Sequence, residues 1–317
     1  MTGPYDPEAG MIGLRKALPY LRLYRGRIFV VKAGGALCAE TDALREIAEQ
    51  IGVLRELGIR VVVVHGGGPQ TTLLAKRLSI ETPFIEGRRV TSDEALDVAV
   101  MTMNGTVNTA FLAAFRAADV PASGLSGVDA GMIRVRRRPP KSVDVDGVAT
   151  MVDYGRVGDI VSVEPSLLFR LLEAEIVPIV SPMCADDAGQ VLNVNADTVA
   201  SMLARRMGAE KLFFLTDTPG LLENASDPST LVSYVDIAGL DSMAARGCIA
   251  GGMLPKIAAA KDAVINGVGR VHMVGWKARS GLLREVFTNE GAGTLIVRDA
   301  SELRSSEQGH PIGSVNR

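Results

Sequence analysis

The sequence predicts an α/β protein with a mainly parallel sheet and helices on both of its faces. Apolar runs of strand length alternate with segments of helical periodicity: residues 27–32 and 60–65 are predicted strands, and residues 41–57 and 69–78 are predicted helices. This β-α-β-α order is typical of parallel sheets whose connections cross the faces as helices. Aromatic residues make up only 4% of the 317 residues, so aliphatic side chains must form the core.

Glycine turns at the ends of two predicted strands indicate an anion-binding site. The valine run 61–64 leads through His65 into three glycines at 66–68, and the next residue, Pro69, suits the first turn of a helix. The first strand likewise ends in Lys32 and is followed by glycines at 34 and 35. Turns without side chains let backbone N–H groups approach a ligand, and a helix N-terminus favours negative charge.

Composition excludes several functional classes. The net charge is −2 and charged residues are 22% of the chain, so no global basic field would attract nucleic acid or a membrane. The cysteines at 38, 184 and 248 have no CxxC spacing and are expected to be free thiols in a reducing compartment. No apolar run reaches the roughly 18 residues of a membrane span, and no signal-peptide pattern is found. A cytoplasmic protein is expected.

Charged and amide side chains lie at predicted strand ends and helix starts, where open α/β sheets bind ligands. Lys32 precedes the glycines at 34 and 35, and Lys256 lies one turn into a predicted helix that begins after the glycines at 251 and 252. A lysine near bare backbone N–H groups suits a transferring phosphoryl group. Asn193, Asn195 and Asp197 alternate before a helix, so the two amides could hold a substrate carboxylate or amide. Spacing alone favours Asp197 as a helix cap over Asp197 as a lysine partner.

Two further residues have open interpretations. Arg89 lies in a glycine-containing loop, where its guanidinium could fork onto a carboxylate, although loop arginines are common without such a role. His65 suits a hydrogen-bonded structural residue as well as a general base. Walker A, GxGxxG, GxSxG and HxxxH patterns do not occur where they would be needed, so a P-loop or Rossmann phosphate site is not supported.

The remaining chain is organised by a few strong signals. Ser92 is expected to cap a long helix that runs to about residue 118. Residues 132–152 are expected to form hairpins, and the three arginines at 136–138 are interpreted as a solvated bend without a function. A domain boundary is expected near residue 182, and the tail 299–317 is polar and expected to be loose.

A series of short motifs carries a family resemblance. The motifs are Lys32-Ala-Gly-Gly35, His65-Gly-Gly-Gly-Pro-Gln70, Glu86-Gly-Arg-Arg-Val-Thr91, Gly124-Leu-Ser-Gly127, Val157-Gly-Asp-Ile-Val161, Asn193-Val-Asn-Ala-Asp197, Leu215-Thr-Asp-Thr-Pro-Gly-Leu221, Gly251-Gly-Met-Leu-Pro-Lys256 and Gly293-Thr294. In this order and spacing they resemble the amino acid kinase superfamily and, within it, the N-acetylglutamate kinases of arginine biosynthesis. The match covers roughly residues 12–297.

The resemblance implies an open three-layer αβα sandwich with a mainly parallel central sheet. An N-terminal lobe, residues 28–182, would bind the acetylated amino acid, and a C-terminal lobe, residues 183–298, would bind ATP, with Mg²⁺ carried by the nucleotide. The implied reaction phosphorylates the γ-carboxylate of N-acetyl-L-glutamate to an acyl phosphate. Such a reaction needs no general base, because a carboxylate is already ionised and nucleophilic at neutral pH.

The resemblance also implies roles for single residues. Lys32 and Lys256 would stabilise the transition state, and Asp197 would position them. The phosphoryl group would be bound by Gly34, Gly35, Gly66 and Gly67, the acceptor by Gly67, Gly68, Arg89, Asn193 and Asn195, and the nucleotide by Thr216, Asp217, Gly220, Leu221 and Lys256. Arg89 would hold the α-carboxylate of the acceptor.

Two regions resemble the regulated members of that family. Within the N-terminal extension, residues 1–27, the segment Ala17-Leu-Pro-Tyr-Leu21 resembles the extra helix of arginine-inhibited hexamers. That helix interlaces dimers, so a homo-oligomer, a dimer or a hexamer, is expected. Glu285, Gly291 and Gly293 match part of the arginine pocket of those members. Ser280 stands where they usually carry a histidine.

Two other functions stay open at this point. A sister kinase could act on another carboxylate or on a carbamate, such as carrier-bound aminoadipate or glutamate. The free α-carboxylate site implied by Arg89 argues mildly against that alternative. A non-catalytic sensor of arginine or nucleotide is the second alternative, and the intact set of Lys32, Lys256 and Asp197 argues against it.

Overall fold

The helices and strands alternate along most of the chain. The computed structural model describes residues 7–85, 88–145, 148–288 and 291–303. The helices are α1 Pro7–Tyr24, α2 Thr41–Glu56, α3 Gly68–Arg77, α4 Asp93–Val100, α5 Asn108–Ala117, α6 Ser166–Glu173, α7 Ala196–Arg206, α8 Ile237–Ala245, α9 Met253–Ile265 and α10 Gly281–Phe287. The strands are β1 Ile28–Ala33, β2 Arg60–His65, β3 Phe84–Ile85, β4 Arg88–Arg89, β5 Ala122–Ser126, β6 Ile133–Arg137, β7 Lys141–Val145, β8 Val148–Val152, β9 Gly158–Val163, β10 Val177–Ser181, β11 Met183–Ala185, β12 Val191–Asn193, β13 Lys211–Thr216, β14 Tyr234–Val235, β15 Arg270–Gly275 and β16 Gly293–Ile296.

An eight-stranded sheet forms the centre of the molecule, in the order β14-β16-β15-β13-β1-β2-β10-β5. Its pairings are parallel except that of β15 with β16. The strand order changes direction at β1, which pairs with β2 on one side and β13 on the other. Open α/β sheets bind ligands beyond the carboxyl ends of the strands at such a point.

The two faces of this sheet carry separate hydrophobic cores. Successive strand residues point to opposite faces, so Val30 and Val31 of β1 enter different cores. One core contains buried residues of α6, α7, α8 and α9, and the other contains buried residues of α2, α5 and α10. The predicted three-layer αβα architecture with a mainly parallel sheet is confirmed.

A second, smaller sheet lies beside the carboxyl ends of the central strands. Its order is β12-β11-β6-β9, and a bridge joins Asn193 of β12 to Val157, the residue before β9. β7 and β8 form a hairpin as expected, but β6 pairs with β9 and β11, not with β7. β11 and β12 follow residue 182, whereas β6 and β9 precede it. The division into lobes therefore stays a prediction.

The expected long helix after Ser92 is confirmed. The Ser92 hydroxyl accepts a hydrogen bond of 3.1 Å from the Ala95 N–H, and α4 continues through a π-helical segment, Met101–Val107, into α5. By length and composition this 25-residue helix could cross a membrane, contrary to the expectation that no segment would. Half of its apolar window is buried inside the fold, and buried core helices have the same composition.

The structure corrects or limits two further expectations. Arg89 is not in a loop but ends β4, which pairs with β3 in a short hairpin whose two connecting residues, 86 and 87, lie outside the described residues. In the expected loose tail, Ala300–Glu302 forms a 3₁₀ turn capped by the Asp299 carboxylate, and residues 304–317 lie outside the described residues.

Substitution of Gly293 by alanine is expected to destabilise the fold. A Cβ at this position would lie 2.0 Å from the carbonyl oxygen of Met273 on the neighbouring strand, so β15 and β16 would have to separate. We expect a loss of at least about 2 kcal/mol in the free energy of unfolding, measured by urea denaturation. Gly269→Ala is the matched control, because its Cβ would lie 3.8 Å from the nearest atom. Equal stability of the two variants would contradict this packing.

Candidate active site

A cleft of about 560 Å³ opens beyond the carboxyl ends of β1, β2 and β13. Three helices begin at its edge, because Gly68 of α3, Ala196 of α7 and Met253 of α9 are the first residues of their helices and line the cleft. Helix N-termini present unpaired N–H groups and a partial positive charge. Three of them around one cleft favour a bound anion such as phosphate.

Two lysines share one carboxylate in the middle of this cleft. Oδ1 of Asp197 lies 2.9 Å from Nζ of Lys32 and 3.1 Å from Nζ of Lys256, and Oδ2 lies 3.3 Å from the latter. The three side chains come from β1, α7 and α9 and are at most 13% exposed. Two ammonium groups and one carboxylate leave one net positive charge, which suits the developing charge of a transferring phosphoryl group.

The pKa values in this cluster follow from burial and charge. Burial alone would raise the pKa of Asp197, but Lys32 and Lys256 outweigh it and lower that pKa to about 2. Burial, followed by repulsion from Lys32, lowers the pKa of Lys256 from 10.5 to about 8. Asp197 is therefore ionised at neutral pH, and Lys256 is a cation that titrates close to the physiological range.

The helix cap is not Asp197 but Asn195. Oδ1 of Asn195 accepts hydrogen bonds from the N–H groups of Asp197 and Thr198, at 2.8 and 3.1 Å. The capping role that spacing favoured for Asp197 was therefore wrong, because the first-turn N–H groups are satisfied two residues earlier. Asn193 ends β12 and both asparagines line the cleft, but Asn195 and Asp197 already belong to the start of α7, not to an extended strand.

The two glycine turns pack directly on each other and line the cleft. The Gly66 N–H donates to the Ala33 carbonyl at 3.1 Å, and Nε2 of Gln70 donates to the Gly35 carbonyl at 2.6 Å. A Cβ on Gly35 would lie 2.4 Å from Cδ of Pro69, whereas a Cβ on Gly68 would meet nothing within 4 Å. Gly35 is thus required for packing between the turns, and Gly68 leaves open space for a ligand.

His65 is a structural residue in this arrangement. Its ring is fully buried, Nδ1 lies 3.0 Å from the Gly66 carbonyl, and Nε2 lies 3.2 Å from Nδ2 of Asn108. The carbonyl can only accept, so Nδ1 carries the proton and Nε2 accepts from the amide. Burial lowers the pKa of His65 to about 4. The ring is neutral at pH 7, does not line the cleft and fixes the first glycine of the turn.

Arg89 lines the cleft from the β3–β4 hairpin. Its Nη2 donates to the Gly68 carbonyl at 3.0 Å and to Oγ1 of Thr72 at 2.8 Å, and its guanidinium lies 4.7 Å from the ring centre of Phe84. Nη1 is buried and has no hydrogen-bond partner among the described residues. A buried N–H without a partner is costly, so a ligand acceptor such as a carboxylate is expected there.

Only part of the expected nucleotide set reaches the cleft. Thr216 and Asp217 line it, and Oδ1 of Asp217 accepts from the indole N–H of Trp276 at 2.7 Å. Gly220 and Leu221 pack against β16 instead: the Leu221 N–H donates to Oγ1 of Thr294 at 2.8 Å, and a Cβ on Gly220 would lie 2.5 Å from that oxygen. Their packing is explained by β16 without a ligand.

Glu285 belongs to a buried polar chain away from the cleft. Its carboxylate accepts from Nδ1 of His272 at 2.7 Å and from the Ala292 N–H at 2.6 Å, and Nε2 of His272 lies 3.0 Å from Nζ of Lys211. Burial opposes ionisation of Glu285, but these hydrogen bonds hold its pKa below the ordinary value. Sequence reasoning missed His272 and Lys211, because they lie on neighbouring strands and carry no local motif.

The remaining residues of the expected arginine set have structural explanations as well. Gly291 has φ +60° and a Cβ there would lie 3.0 Å from the Glu285 carboxylate, and Gly293 lets β16 approach β15. Ser280 lies at the start of α10, where its N–H donates to the Glu46 carboxylate at 2.9 Å. The histidine that contacts Glu285 is His272 of β15, whereas position 280 carries a serine.

The fold and cleft define a class of phosphotransferase, and sequence comparison agrees. The sequence model of the amino acid kinase family matches residues 27–275. The chain belongs to the amino acid kinase family.

Two relatives within the family are similar to this chain over most of its length. The chain is 47% identical over 301 residues to an acetylglutamate kinase of Myxococcus xanthus, which covers 94% of this chain and 97% of that protein. It is 40% identical over 285 residues to an acetylglutamate kinase of Symbiobacterium thermophilum, which covers 90% of this chain and 96% of that protein.

Solved structures show the same fold in proteins of different names. The N-acetylglutamate synthase of Neisseria gonorrhoeae, complexed with coenzyme A and N-acetyl-glutamate, matches with a TM-score of 0.78 and 29% identity over 92% of this chain. This chain spans 64% of the length of that synthase. An isopentenyl phosphate kinase matches with a TM-score of 0.59 and 20% identity, covering 85% of this chain and 100% of that chain, which shows the fold alone.

Kinase activity is expected to fall as pH rises through about 8. The lowered pKa of Lys256 means that this side chain is fully charged below pH 7 and loses its charge as pH passes about 8. The measurement is kcat/KM for ATP between about pH 6 and about pH 10. In Lys256→Arg the guanidinium stays charged throughout, so the decrease near pH 8 should disappear. A wild-type profile that stays flat to pH 10 would contradict this assignment.

Proposed function

We propose that this chain transfers the γ-phosphoryl group of ATP to the γ-carboxylate of N-acetyl-L-glutamate, a step of arginine biosynthesis. The observation that carries the proposal is the pairing of Asp197 with Lys32 and Lys256 in a cleft that also holds Arg89. The relatives named acetylglutamate kinase, at up to 47% identity over nearly the whole chain, support this acceptor over others.

Acceptor binding would use the end of the cleft formed by the β3–β4 hairpin and β12. Nη1 of Arg89 would take the α-carboxylate as its missing acceptor, and Asn193 would hold the acetylamino group. Gly67 and Gly68 would contact the acceptor, because a side chain at 68 would occupy the open space there. The γ-carboxylate would then lie between the glycine turns and Lys32.

Phosphoryl transfer would take place between the lysines. A γ-carboxylate oxygen forms a bond to the γ-phosphorus of ATP as the bond from that phosphorus to the β–γ bridging oxygen breaks, and ADP leaves with the bond's electrons. Lys32 and Lys256 would neutralise charge on the transferring group, with N–H groups at Gly34, Gly35 and Gly67 as further donors. The N–H of Gly66, expected from the resemblance to bind the phosphoryl group, instead donates to the Ala33 carbonyl, so Gly66 would shape the turn. No proton needs to be removed from the acceptor, which agrees with the buried, neutral His65.

The nucleotide would occupy the end of the cleft lined by Thr216, Asp217 and the start of α9. Gly220 and Leu221 would contribute indirectly, by packing the segment after Asp217 against β16. Mg²⁺ would be carried by the ATP phosphates and would neutralise part of their charge. The carboxylates of the cleft already have partners and need not coordinate the metal, because Asp197 pairs with two ammonium groups and Asp217 accepts from an indole N–H.

The free thiols Cys38, Cys184 and Cys248 support a reducing, cytoplasmic location.

The two alternatives of the sequence analysis have no observation in their favour. A sensor without catalysis would not need two buried lysines held on one carboxylate beside bare glycine turns. A sister acceptor without a free α-carboxylate would leave Nη1 of Arg89 buried without a partner.

Purified protein with Mg²⁺ and ATP is expected to form acyl phosphate from N-acetyl-L-glutamate, detected as the hydroxamate. Free glutamate, aspartate and N-acetylaspartate are expected to give far less. Lys32→Met should lower kcat by about 100-fold or more, because one of the two charge-neutralising groups is lost. The matched control is Lys76→Met, which removes an exposed lysine of α3 outside the cleft. Equal turnover by the two variants, or no acyl phosphate from the wild type, would reject the proposal.

We further propose that L-arginine binds at Glu285, Gly291 and Gly293. An ionised, buried carboxylate suits a guanidinium. Arginine should inhibit the wild type, and Glu285→Gln should weaken that inhibition at least about tenfold through loss of a charged hydrogen bond. Unchanged inhibition in the variant would exclude this site.

We also propose that α1 joins subunits in a homo-oligomer, a dimer or a hexamer. This helix exposes Leu18 and Leu23 by 41% and 40%. Light scattering should give a mass above the 33.5 kDa of one chain. A mass of one chain would exclude the oligomer.

A further inference from the structure

Arg138 is not a solvated surface arginine. Its side chain is 19% exposed, and its Nε and Nη2 both donate to Oδ1 of Asp159, at 2.8 and 2.7 Å. The guanidinium carbon lies 5.8 Å from the ring centre of Tyr154. The expected solvated bend at residues 136–138 was wrong in two respects: Arg136 and Arg137 belong to strand β6, and Arg138 is largely buried and lines the cleft.

The backbone places Arg138 between the two elements that carry the proposed acceptor ligands. Its N–H donates to the Val157 carbonyl at 2.8 Å, and Val157 is bridged to Asn193. On the other side, the N–H of Thr91, two residues after Arg89, donates to the Tyr154 carbonyl at 3.0 Å. Arg138 is thus attached to the same short segment, residues 154–157, that connects the β3–β4 hairpin to β12.

The orientation of the guanidinium leaves one nitrogen for a ligand. Asp159 takes the hydrogen bonds of Nε and Nη2, and Nη1 has no hydrogen-bond partner among the described residues. Asp159 itself does not line the cleft. The Asp159 carboxylate therefore orients the guanidinium of Arg138. Because the guanidinium is planar and rigid, its remaining N–H groups then point in one fixed direction.

The charge of the cleft points to an anionic ligand at this end. Among the described residues, which leave out 86 and 87 of the hairpin, five cationic side chains line the cleft against two carboxylates, Asp197 and Asp217. Neither of these two carboxylates lies on the elements around Arg89. Arg88, Arg89 and Arg138 all line the cleft, and the backbone contacts of residues 154–157 tie Arg138 to the chain that follows the β3–β4 hairpin. A single α-carboxylate has about four lone-pair sites, so it can accept from two arginines at once.

We propose that Arg138 is a second specificity-determining residue for the acceptor, which binds the α-carboxylate of N-acetyl-L-glutamate together with Arg89. The inference deepens the proposed function and rests on it. Two arginines on one carboxylate would discriminate against acceptors whose α-carboxyl group is amidated or attached to a carrier. The residue would act on acceptor binding, because the transferred phosphoryl group lies at the lysine end.

The first test separates binding from chemistry. In Arg138→Gln the KM for N-acetyl-L-glutamate should rise about 10- to 100-fold, the usual effect of losing a hydrogen bond to a charged group, whereas kcat and the KM for ATP should change little. Arg136→Gln is the matched control, since that exposed arginine of β6 does not line the cleft. Arg138→Lys, which retains the charge, should restore part of the loss. An unchanged KM in Arg138→Gln would overturn the inference.

The second test asks whether the α-carboxylate is the group recognised. The α-carboxamide of N-acetylglutamate should lose much of its kcat/KM with the wild type and much less with Arg138→Gln, because the removed interaction is the same in both changes. Equal losses in the two proteins would overturn the inference. If Arg138→Gln does not fold, as judged by its thermal transition, Asp159→Asn serves in its place, because it retains Arg138 but removes its anchor; the same reduced loss is expected. Failure of the wild type on N-acetyl-L-glutamate would instead reject the proposed function.

Discussion

The structure of the cleft depends on one buried carboxylate that is shared by two ammonium groups. Asp197 holds Lys32 of β1 and Lys256 of α9, so it joins three elements that are far apart in the chain. Removal of one partner from a buried ion pair typically costs about 3–5 kcal/mol, because the remaining charge loses its compensation. The carboxylate at the start of α7 therefore holds β1 and α9 together at the cleft, and with them both sides of the proposed phosphoryl site.

The other features of the cleft also favour a bound anion. The N-termini of α3, α7 and α9 and the glycine turns supply N–H groups and partial positive charge, which require no reorganisation when an anion enters. Two of these glycines are needed for different reasons: a side chain at Gly35 would clash with Pro69, whereas Gly68 leaves room for a ligand. At the proposed acceptor end, Arg89, held by Gly68 and Thr72, and Arg138, held by Asp159, continue the same positive surface.

Much of this arrangement could be predicted from local sequence. The alternation of apolar runs and helical periodicity led to the parallel sheet, and Lys32, Lys256 and the glycine turns stand out because each lysine has its own glycine pair. Local reasoning failed where two residues competed for one role. Asn195 and Asp197 both suit a helix cap, and the choice between them depends on whether a lysine from another element reaches the carboxylate. Arg138 was misjudged because its environment depends on a distant residue. A run of three arginines in the sequence does not show that one of them pairs with Asp159.

The sequence by itself determined the α/β class, the position of the strands and turns, and the resemblance to the amino acid kinases, because these depend on side-chain periodicity and on the backbone freedom of glycine over a few residues. Only the tertiary structure decided which polar groups meet. The contacts of Asp197 with two lysines, of His272 with Glu285, and of residues 154–157 with both Thr91 and Asn193 join distant parts of the chain. Such contacts are set by how the helices and the small sheet pack on the central strands, and no spacing along the chain encodes them.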